Sequence, residues 1–580
     1  MNMNKISVLL LAGAVSGTMM AQDPTDAYRL STTELNGTAR FMSMGGAFGA
    51  LGGDLSTLSQ NPGGIGVYRS NEVGFTISLD MQHNTSTYAN TSYSLNHTTF
   101  SFNNVGVVGT LRLRNKVMPN LNLGFTYNKA ASFNRRYRGS VPQLKTSLSN
   151  YIAGIANNYN LTEPDVKTTD TYDPYTPGVN DRYVPWAPVL GYDSFLITPE
   201  EQHDGTTHWY GQFGDGTTGT GFFDVQESGS IDEYNIALGG NIANKVFWGM
   251  NFGIVDVDYT VSSIWQESLQ KAYVYNPNYG RIGQQNADWI MDQLYNLTGS
   301  GFNYQLGVIV KPIQELRLGL AFHTPTYYNL TENYAPDQVD YTYNFKHNPA
   351  LSEKDNYDGN DYAETNGGVS TYDKVRLQTP WRVIASVAGV IGSKCIVSFD
   401  YEWQGYKKMK FKEPNYYNYY NDYYDDYYGY DYYYGNLQSE APYVAQPTPI
   451  QMANDAVRTI YRNSSTIRIG AEYRVLPQLS VRAGFNYNWS PVTSEAKSNL
   501  ANIPSSGTFS YTLDNQTMYV TAGVGYRIKS FYVDAAYVYK HTSSTYTPFA
   551  ADPYDMAATA MNAKLGLNNH KVVLSAGFKF

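Results

Sequence analysis

Seven arginines fall on stretches where every second residue is apolar: Arg317, Arg376, Arg382, Arg468, Arg474, Arg482 and Arg527. Asp400, Glu402, Glu472 and Asp534 lie on the same polar alternation. Such a set has two chemical uses. The charges can pair into a structural network, or one guanidinium can receive the carboxylate of a ligand, which its planar fork suits. The other candidates form no constellation. The eight histidines, His83, His97, His203, His208, His323, His347, His541 and His570, show no HExxH or other close ligand spacing, and no G-x-S-x-G elbow occurs. Most of them are expected in loops or on the surface. In "DNYDGND" the carboxylates of Asp355, Asp358 and Asp361 lack the odd-numbered spacing and closing glutamate of a calcium loop. Cys395 is expected as a small hydrophobe on an outward strand face. No catalysis, cofactor or metal is expected from these patterns.

A glycine cluster, "ARFMSMGGAFGALGGDLSTLSQNPGGIGVYRS", first suggests a phosphate cradle, with Gly45, Gly46, Gly52 and Gly53 ahead of Asn61, Pro62 and Gly63. It has neither the i, i+2, i+5 glycine spacing of a dinucleotide loop nor a Gly-Lys-Ser/Thr ending. So permissive a backbone instead suits a segment folded into a narrow space.

The elements that must position these residues are strands. In "IRIGAEYRV", Ile467, Ile469, Ala471, Tyr473 and Val475 alternate with Arg468, Gly470, Glu472 and Arg474, and "LSVRAGFNYN", "LRLGLAF", "MYVTAGVGYRI" and "KVVLSAGFKF" repeat the pattern. A soluble sandwich also alternates. Here, however, the polar faces carry glycine and alanine between charges, and aromatics gather at strand ends, as in membrane barrels. Short turns at 116–120, 243–245, 312–315, 392–394, 476–478 and 528–530 separate long polar segments at 82–95, 138–228, 265–300, 328–371, 412–462, 490–515 and 541–568. Six turns and seven loops join fourteen strands. The expected fold is all-β: a 14-stranded antiparallel transmembrane β-barrel with long, partly helical extracellular loops. Closure is required because an open edge in hydrocarbon would strand backbone polar groups. Inward placement of the arginines is then nearly forced, since a charge facing lipid costs about 2–4 kcal/mol at midplane. Helical spacing marks two loop segments, "LKTSLSNYIAGIA" with Leu144, Leu148, Tyr151, Ile152 and Ile155, and "NADWIMDQLYNL" with Ala287, Ile290, Met291, Leu294 and Tyr295.

The chain opens with "MNMNKISVLLLAGAVSGTMMAQD", which reads as a signal peptide (1–21) cut after Ala21 and not as a membrane helix. No cysteine stands near the cut, so a lipid anchor is not expected. The 580 residues hold 54 tyrosines, 51 glycines and one cysteine, so an exported chain of this size must find stability without disulfides. Net charge falls from −9 to −10 when Lys5 leaves with the leader, which gives nucleic acid no electrostatic footing. Twelve tyrosines crowd "YYNYYNDYYDDYYGYDYYY", residues 416–434, a low-complexity external loop suited to stacking on sugars or partner surfaces.

The glycine-rich leading segment, fourteen strands and terminal Phe580 together resemble the FadL/TodX family of outer-membrane transporters for long-chain fatty acids and other hydrophobic compounds. The resemblance rests on "SMGGAFGALGGDLSTLSQNPGGIG", "GSGFNYQLGVIVKPIQELRLGLAFHTP", "LQTPWRVIASV" and "TIRIGAEYRVLPQLSVRAGFNYNWSPV", and covers nearly all of the mature chain. It implies a hatch (22–70) inside a barrel (71–580) in the outer membrane. The family's Asn-Pro-Ala signature is met by Asn61, Pro62 and Gly63; glycine in place of alanine keeps the turn and loosens it. The implied route runs from an external apolar groove to a lumenal pocket, then sideways near strand three. There Lys129, Ala130 and Ala131 interrupt the alternation of "PNLNLGFTYNKAASFNRRYRG".

The expected function is passive uptake of hydrophobic compounds such as long-chain fatty acids, with binding by apolar burial at about 25 cal/mol per Å². The alternative is an interaction subunit of a larger outer-membrane assembly, argued from the mass of loops 138–228 and 412–462. A weaker one is a receptor or porin for another small solute such as haem. Expected partners are outer-membrane lipids, a hydrophobic small molecule, the barrel assembly machinery that reads a terminal aromatic strand, and other outer-membrane proteins through the loops.

Overall fold

Alternating apolar residues commit a segment to a strand with one greasy face, and the chain closes fourteen of them into one antiparallel ring. A computed structural model describes residues 23–113, 115–175, 184–276, 280–344, 358–392, 394–413, 449–498, 508–549 and 561–580. The leader, the Tyr416–Tyr434 run, His347, Asp355 and the side chain of Asp358 lie outside the described residues. The strands are β1 (Glu72–Tyr88), β2 (Thr91–Arg112), β3 (Asn120–Ser132, continued as Arg135–Val141), β4 (Thr218–Ile242), β5 (Val246–Asn276), β6 (Gly280–Val310) and β7 (Leu316–His323, continued as Tyr327–Tyr334 and Gln338–Asn344). They continue as β8 (Asp358–Glu364, Thr371–Gln378 and Arg382–Ile391), β9 (Cys395–Gln404), β10 (Ser464–Arg474), β11 (Leu479–Asn488), β12 (Tyr511–Ile528), β13 (Phe531–Thr547) and β14 (Ala563–Lys579). The ring closes where β14 meets β1, with Val73 opposite Phe578. Beyond that pair, the Asn71 and Phe580 backbones exchange hydrogen bonds of 2.9 and 3.1 Å.

All six short turns fall where the sequence places them. The long segments fare differently. Residues 82–95 are strand apart from a tight turn at Ala89–Asn90, and 265–300 are almost wholly the outer parts of β5 and β6. Most of the described part of 328–371 is likewise strand. The helix expected at "NADWIMDQLYNL" is therefore absent: the segment is strand β6, with Trp265 opposite Met291. Positions 287, 291 and 295 satisfy both a helical and a two-residue period, and pairing with β5 decides between them. The other helix forms, as α3 (Leu148–Asn158), capped by Ser147. It packs with a helix at Trp186–Asp193.

The membrane level is written on the outer face. Along β5 the outward residues are apolar through Ile254 and acidic at Asp256 and Asp258; Ile254 stands opposite Phe302, where the apolar face of β6 also stops. The nine-residue stretch 246–254 matches the roughly 9–11 residues a tilted strand needs to span a bilayer. The rest of β5, Val255–Asn276, adds about 70 Å of strand above it at ~3.3 Å per residue. These extensions, α3 and its neighbours enclose an apolar core that includes Ile152, Leu190, Trp209, Phe223, Trp289 and Tyr546. That core lies over the outer end of the barrel, where the family resemblance implies an external apolar groove.

A carboxyl group is fully buried inside the cap. Glu267 Oε1 accepts from Leu148 N and Trp265 Nε1, both at 2.8 Å, and burial pushes its carboxyl up to about 7. An acid whose folded pKa is raised binds a proton more readily when folded. Its contribution is thus full below about 4.5, the ordinary value, and is lost as pH rises through about 7. At about 1.4 kcal/mol per unit this amounts to roughly 3 kcal/mol between pH 4.5 and 8. Hydrogen exchange of α3 amides, corrected for intrinsic rate, is expected to show stronger protection at pH 5 than at pH 8. Glu267→Gln should flatten the difference; an unchanged pH profile would refute the assignment.

Candidate functional site

Residues 23–70 precede β1 and lie against the inner wall. Their helices are short, α1 (Pro24–Arg29) and α2 (Ala39–Ser43), and two 3₁₀ turns follow, Leu55–Ser59 and Pro62–Val67. Thr38 caps α2 through a bond from Phe41 N, and Asn61 caps the last turn with Pro62 in its first position. Gly45, Gly46, Gly52 and Gly53 all take positive φ, between 62° and 75°. At Gly45 the reason is plain. A side chain there would meet the Phe485 backbone at 2.8 Å, and Asn486 Nδ2 and Thr521 Oγ1 already hold the Gly45 peptide. Phe41, Met42, Met44 and Phe48 fill the space between this segment and Tyr519, Ala536, Val538 and Val573 of the wall.

Asn61, Pro62 and Gly63 sit against glycines of the facing strands. Asn61 Oδ1 accepts from Gly63 N at 3.0 Å, and its Nδ2 donates to Gly49 O and, at 3.4 Å, to Val308 O. A methyl group on Gly307 would overlap Asn61 Oδ1, and one on Gly249 would overlap Pro62 O. At Gly63 a methyl group would stand 3.0 Å from Gly307 O, so an alanine there requires the wall to yield a few tenths of an ångström.

Four of the seven arginines expected inside, Arg317, Arg382, Arg468 and Arg482, point into the lumen and touch the 23–70 segment or a carboxylate. Arg317 Nη1 donates to Leu51 O at 2.8 Å. Arg468 Nη2 bonds Glu402 Oε2 at 2.8 Å, and Arg382 shares that carboxylate at 3.7 Å. Arg482 bridges Glu472 (2.7 Å) and Asp534, and Arg40 of α2 reaches Glu472 at 3.0 Å. Asp400 accepts from Gly49 N and Gln60 Nε2. Arg474 and Arg527, expected inside, are exposed at the ends of β10 and β12, where Arg527 Nε donates to Lys529 O. Position, not face, separates them: two residues nearer a turn, a side chain leaves the lumen. Arg376 lies on the β8 extension and bonds Glu413 O, while its neighbours Val375 and Leu377 take the buried side.

Four residues, His323, Lys540, Lys571 and Arg135, make contacts that the sequence alone did not indicate. His323 is no surface histidine: it is buried, its Nε2 donates to Gln60 O at 2.8 Å and its Nδ1 accepts from Arg382 Nε at 3.1 Å. Parity could have found it, because His323 shares the Arg317 face of "LRLGLAFH". Lys540 pairs with Glu34, Lys571 with Asp80 at 3.0 Å, and Arg135 with Glu227 and Asp514. These join residues far apart in sequence, and nothing local announces them. Above them α1 ties the 23–70 segment to the cap: Tyr295 OH donates to Asp26 Oδ2 at 2.9 Å, and Tyr28 stacks on Tyr461 at 5.4 Å between ring centroids.

Between the 23–70 segment, the wall and the cap lies a cavity of about 220 Å³. Its wall is polar where an apolar pocket was expected. Amides and hydroxyls dominate, among them Gln82, Asn84, Asn134 and Asn568, with the paired charges above set between them. Six wall atoms have no hydrogen-bond partner within the described protein: Gln60 Oε1, Thr99 Oγ1, Arg468 Nη1, Asn486 Oδ1, Asn488 Oδ1 and Asn569 Oδ1. Each such atom costs about 1–3 kcal/mol unless an occupant satisfies it.

The cavity reaches a discontinuity in the wall. Ala130 is an extra residue in β3, with Lys129 opposite Asp232 and Ala131 opposite Ile231 of β4. The β2–β3 ladder stops at Asn104 opposite Asn128. Past it, β3 turns inward: Gln82, Asn84 and Ser86 of β1 donate to the carbonyls of Asn134, Arg136 and Arg138. Residues 91–102 of β2 thus keep β1 as their ladder partner and have none on the β3 side among the described residues. Thr99, Ser101, Asn128 and Ala130 line the cavity at this point, and Phe100 and Phe102 project outward beside it.

A family profile described as outer membrane protein transport protein (OMPP1/FadL/TodX) matches residues 226–562. A solved FadL homologue of Pseudomonas aeruginosa is 13% identical, with 95% of this chain and 100% of that chain covered and a TM-score of 0.48. The toluene transporter TodX of P. putida is 12% identical over 94% and 99% of the chains (TM-score 0.44), and the toluene transporter TbuX of Ralstonia pickettii is 12% identical over 95% and 100% (TM-score 0.42). No curated protein sequence matches the chain.

Proposed function

Because the chain belongs to the outer membrane protein transport protein family (OMPP1/FadL/TodX) and forms an outer-membrane β-barrel, we propose that it takes up small compounds with an apolar part, the class that includes long-chain fatty acids. Uptake is passive, and the segment 23–70 acts as its hatch. Cargo reaches the central cavity and leaves sideways, through the wall between β2 and β3, into the outer leaflet. The observation that carries this reading is the β2–β3 ladder ending at Asn104 and Asn128 where the cavity reaches the wall. An open strand edge inside hydrocarbon is costly, and a passage for cargo accounts for it.

The lumenal arginines act in this reading as fasteners. Arg317, Arg382, Arg468 and Arg482 each already bond the hatch or a wall carboxylate. Asn61, Pro62 and Gly63 form the foot of the hatch, and Gly249 and Gly307 of the wall are the seat on which it rests.

Deleting Ala130 tests the route. Without the extra residue β3 regains its register against β4, and β2 gains a partner past Asn104. Uptake of radiolabelled laurate and toluene by proteoliposomes is expected to fall to the level of protein-free lipid, with the folded barrel's heat-modifiable gel mobility unchanged. Undiminished uptake by the deletion variant would remove the side exit from the proposal.

A further inference from the structure

We infer that the cargo is an amphiphile whose head is uncharged and rich in hydrogen-bonding groups, a sugar or polyol head on an apolar tail, and that a fatty acid is not its best ligand. The inference rests on the uptake reading above and narrows its substrate class.

The cavity wall selects the head. Its side chains are largely amides and hydroxyls, which both donate and accept, as a polyol does. Its charges are already engaged: Arg135 with Glu227 and Asp514, Lys540 with Glu34, Lys571 with Asp80, Arg468 and Arg382 with Glu402. Among the described lining residues, Glu233 is the one carboxylate outside any ion pair, and its Oε1 accepts from Asn303 and Gln305. A carboxylate head entering here would face six carboxylates, and the cations beside them are already ion-paired; Arg468 Nη1, the one guanidinium nitrogen of the lining left without a partner, can donate equally well to a hydroxyl. A bare hydrocarbon would leave the unsatisfied oxygens of Thr99, Asn486, Asn488 and Asn569 without partners. A neutral hydroxylated head meets both conditions. The tail has its own place, since Thr99 and Ser101 face the cavity from the unpaired stretch of β2, whereas Phe100, 65% exposed, and Phe102 face lipid from the same stretch.

Equilibrium binding of radiolabelled octyl glucoside, octanoate and glucose to full-length protein in nanodiscs, corrected with empty nanodiscs, tests this. Octyl glucoside is expected to bind at least tenfold more tightly than either octanoate or glucose. Asn488→Leu and Thr99→Val, two positions that bond no part of the hatch, should each weaken octyl glucoside about tenfold and leave octanoate unchanged. Octanoate binding as tightly as octyl glucoside overturns the neutral head, and glucose binding as tightly overturns the tail. Equal weakening of octyl glucoside and octanoate by both variants, read together with normal heat-modifiable mobility, also overturns it. Binding in the expected order without flux into proteoliposomes would count against uptake and leave the head-group assignment standing.

Discussion

Gly307→Val should convert a closed barrel into a leaking one. In planar bilayers the purified variant is expected to show sustained ion conductance where the parent protein shows little, and cells carrying it should become sensitive to a bulky antibiotic such as vancomycin. A side chain at Gly307 overlaps Asn61 Oδ1 and comes within 2.7 Å of Gly63 N and 2.9 Å of Pro62 N. Two of those three atoms are backbone, pinned by the turn that Asn61 caps, so a rotamer change cannot relieve the clash. Overpacking of this kind costs about 1–3 kcal/mol, and the hatch has a simple way to relax, which is to lift off its seat. Gly307→Ala should give an intermediate conductance. A Gly307→Val barrel as tight as the parent would show that the Asn61–Gly63 turn does not seal the lumen.

Arg482→Met should be the most destabilising single change in the hatch network. Its guanidinium joins Glu472 of β10 and Asp534 of β13 across β11 and β12, and all three side chains are less than a tenth exposed. Removing it leaves two buried carboxylates with only Arg40, 3.0 Å from Glu472, to answer them. Breaking a buried pair from one side costs about 3–5 kcal/mol, because the stranded charge keeps its desolvation penalty. The transition from folded to unfolded gel mobility on heating is expected to move down by many degrees. The triple variant Arg482→Met, Glu472→Gln, Asp534→Asn should recover most of that loss, since it removes the charges together. A single variant as heat-stable as the parent, or a triple variant no better than the single, would show that the network does not bear the load assigned to it.

Period two carried most of the fold. Residues Ile467 to Val475 and Leu479 to Asn488 alternate so cleanly that strand, face and turn are all legible, and the structure pairs them with Ala471 opposite Ala483. The reading failed where strands leave the membrane. Above Ile254 the outward residues are Asp256, Asp258 and Thr260, so β5 and β6 lose their greasy outer face and look like loops, although buried Tyr259, Trp265 and Trp289 still hold them in register. The hatch contacts were legible only in part. Parity put Arg468 and Glu402 on one side of the wall, but Lys540 with Glu34 and Arg40 with Glu472 join positions hundreds of residues apart, and only the closed ring brings them together.

The seam between Asn71 and Phe580 also sets an order of events. It joins Asn71, just before β1, to Phe580, just after β14, so the ring cannot close until the strands between have been inserted, and contacts this remote form slowly. By then the hatch must already be inside. The glycines at 249, 307, 470 and 484 let its backbone lie against the wall with no space for a side chain between, and a segment so closely fitted has no way to thread into a finished barrel. Assembly of this protein is therefore a packing problem in time, in which the contents are placed before the container is shut.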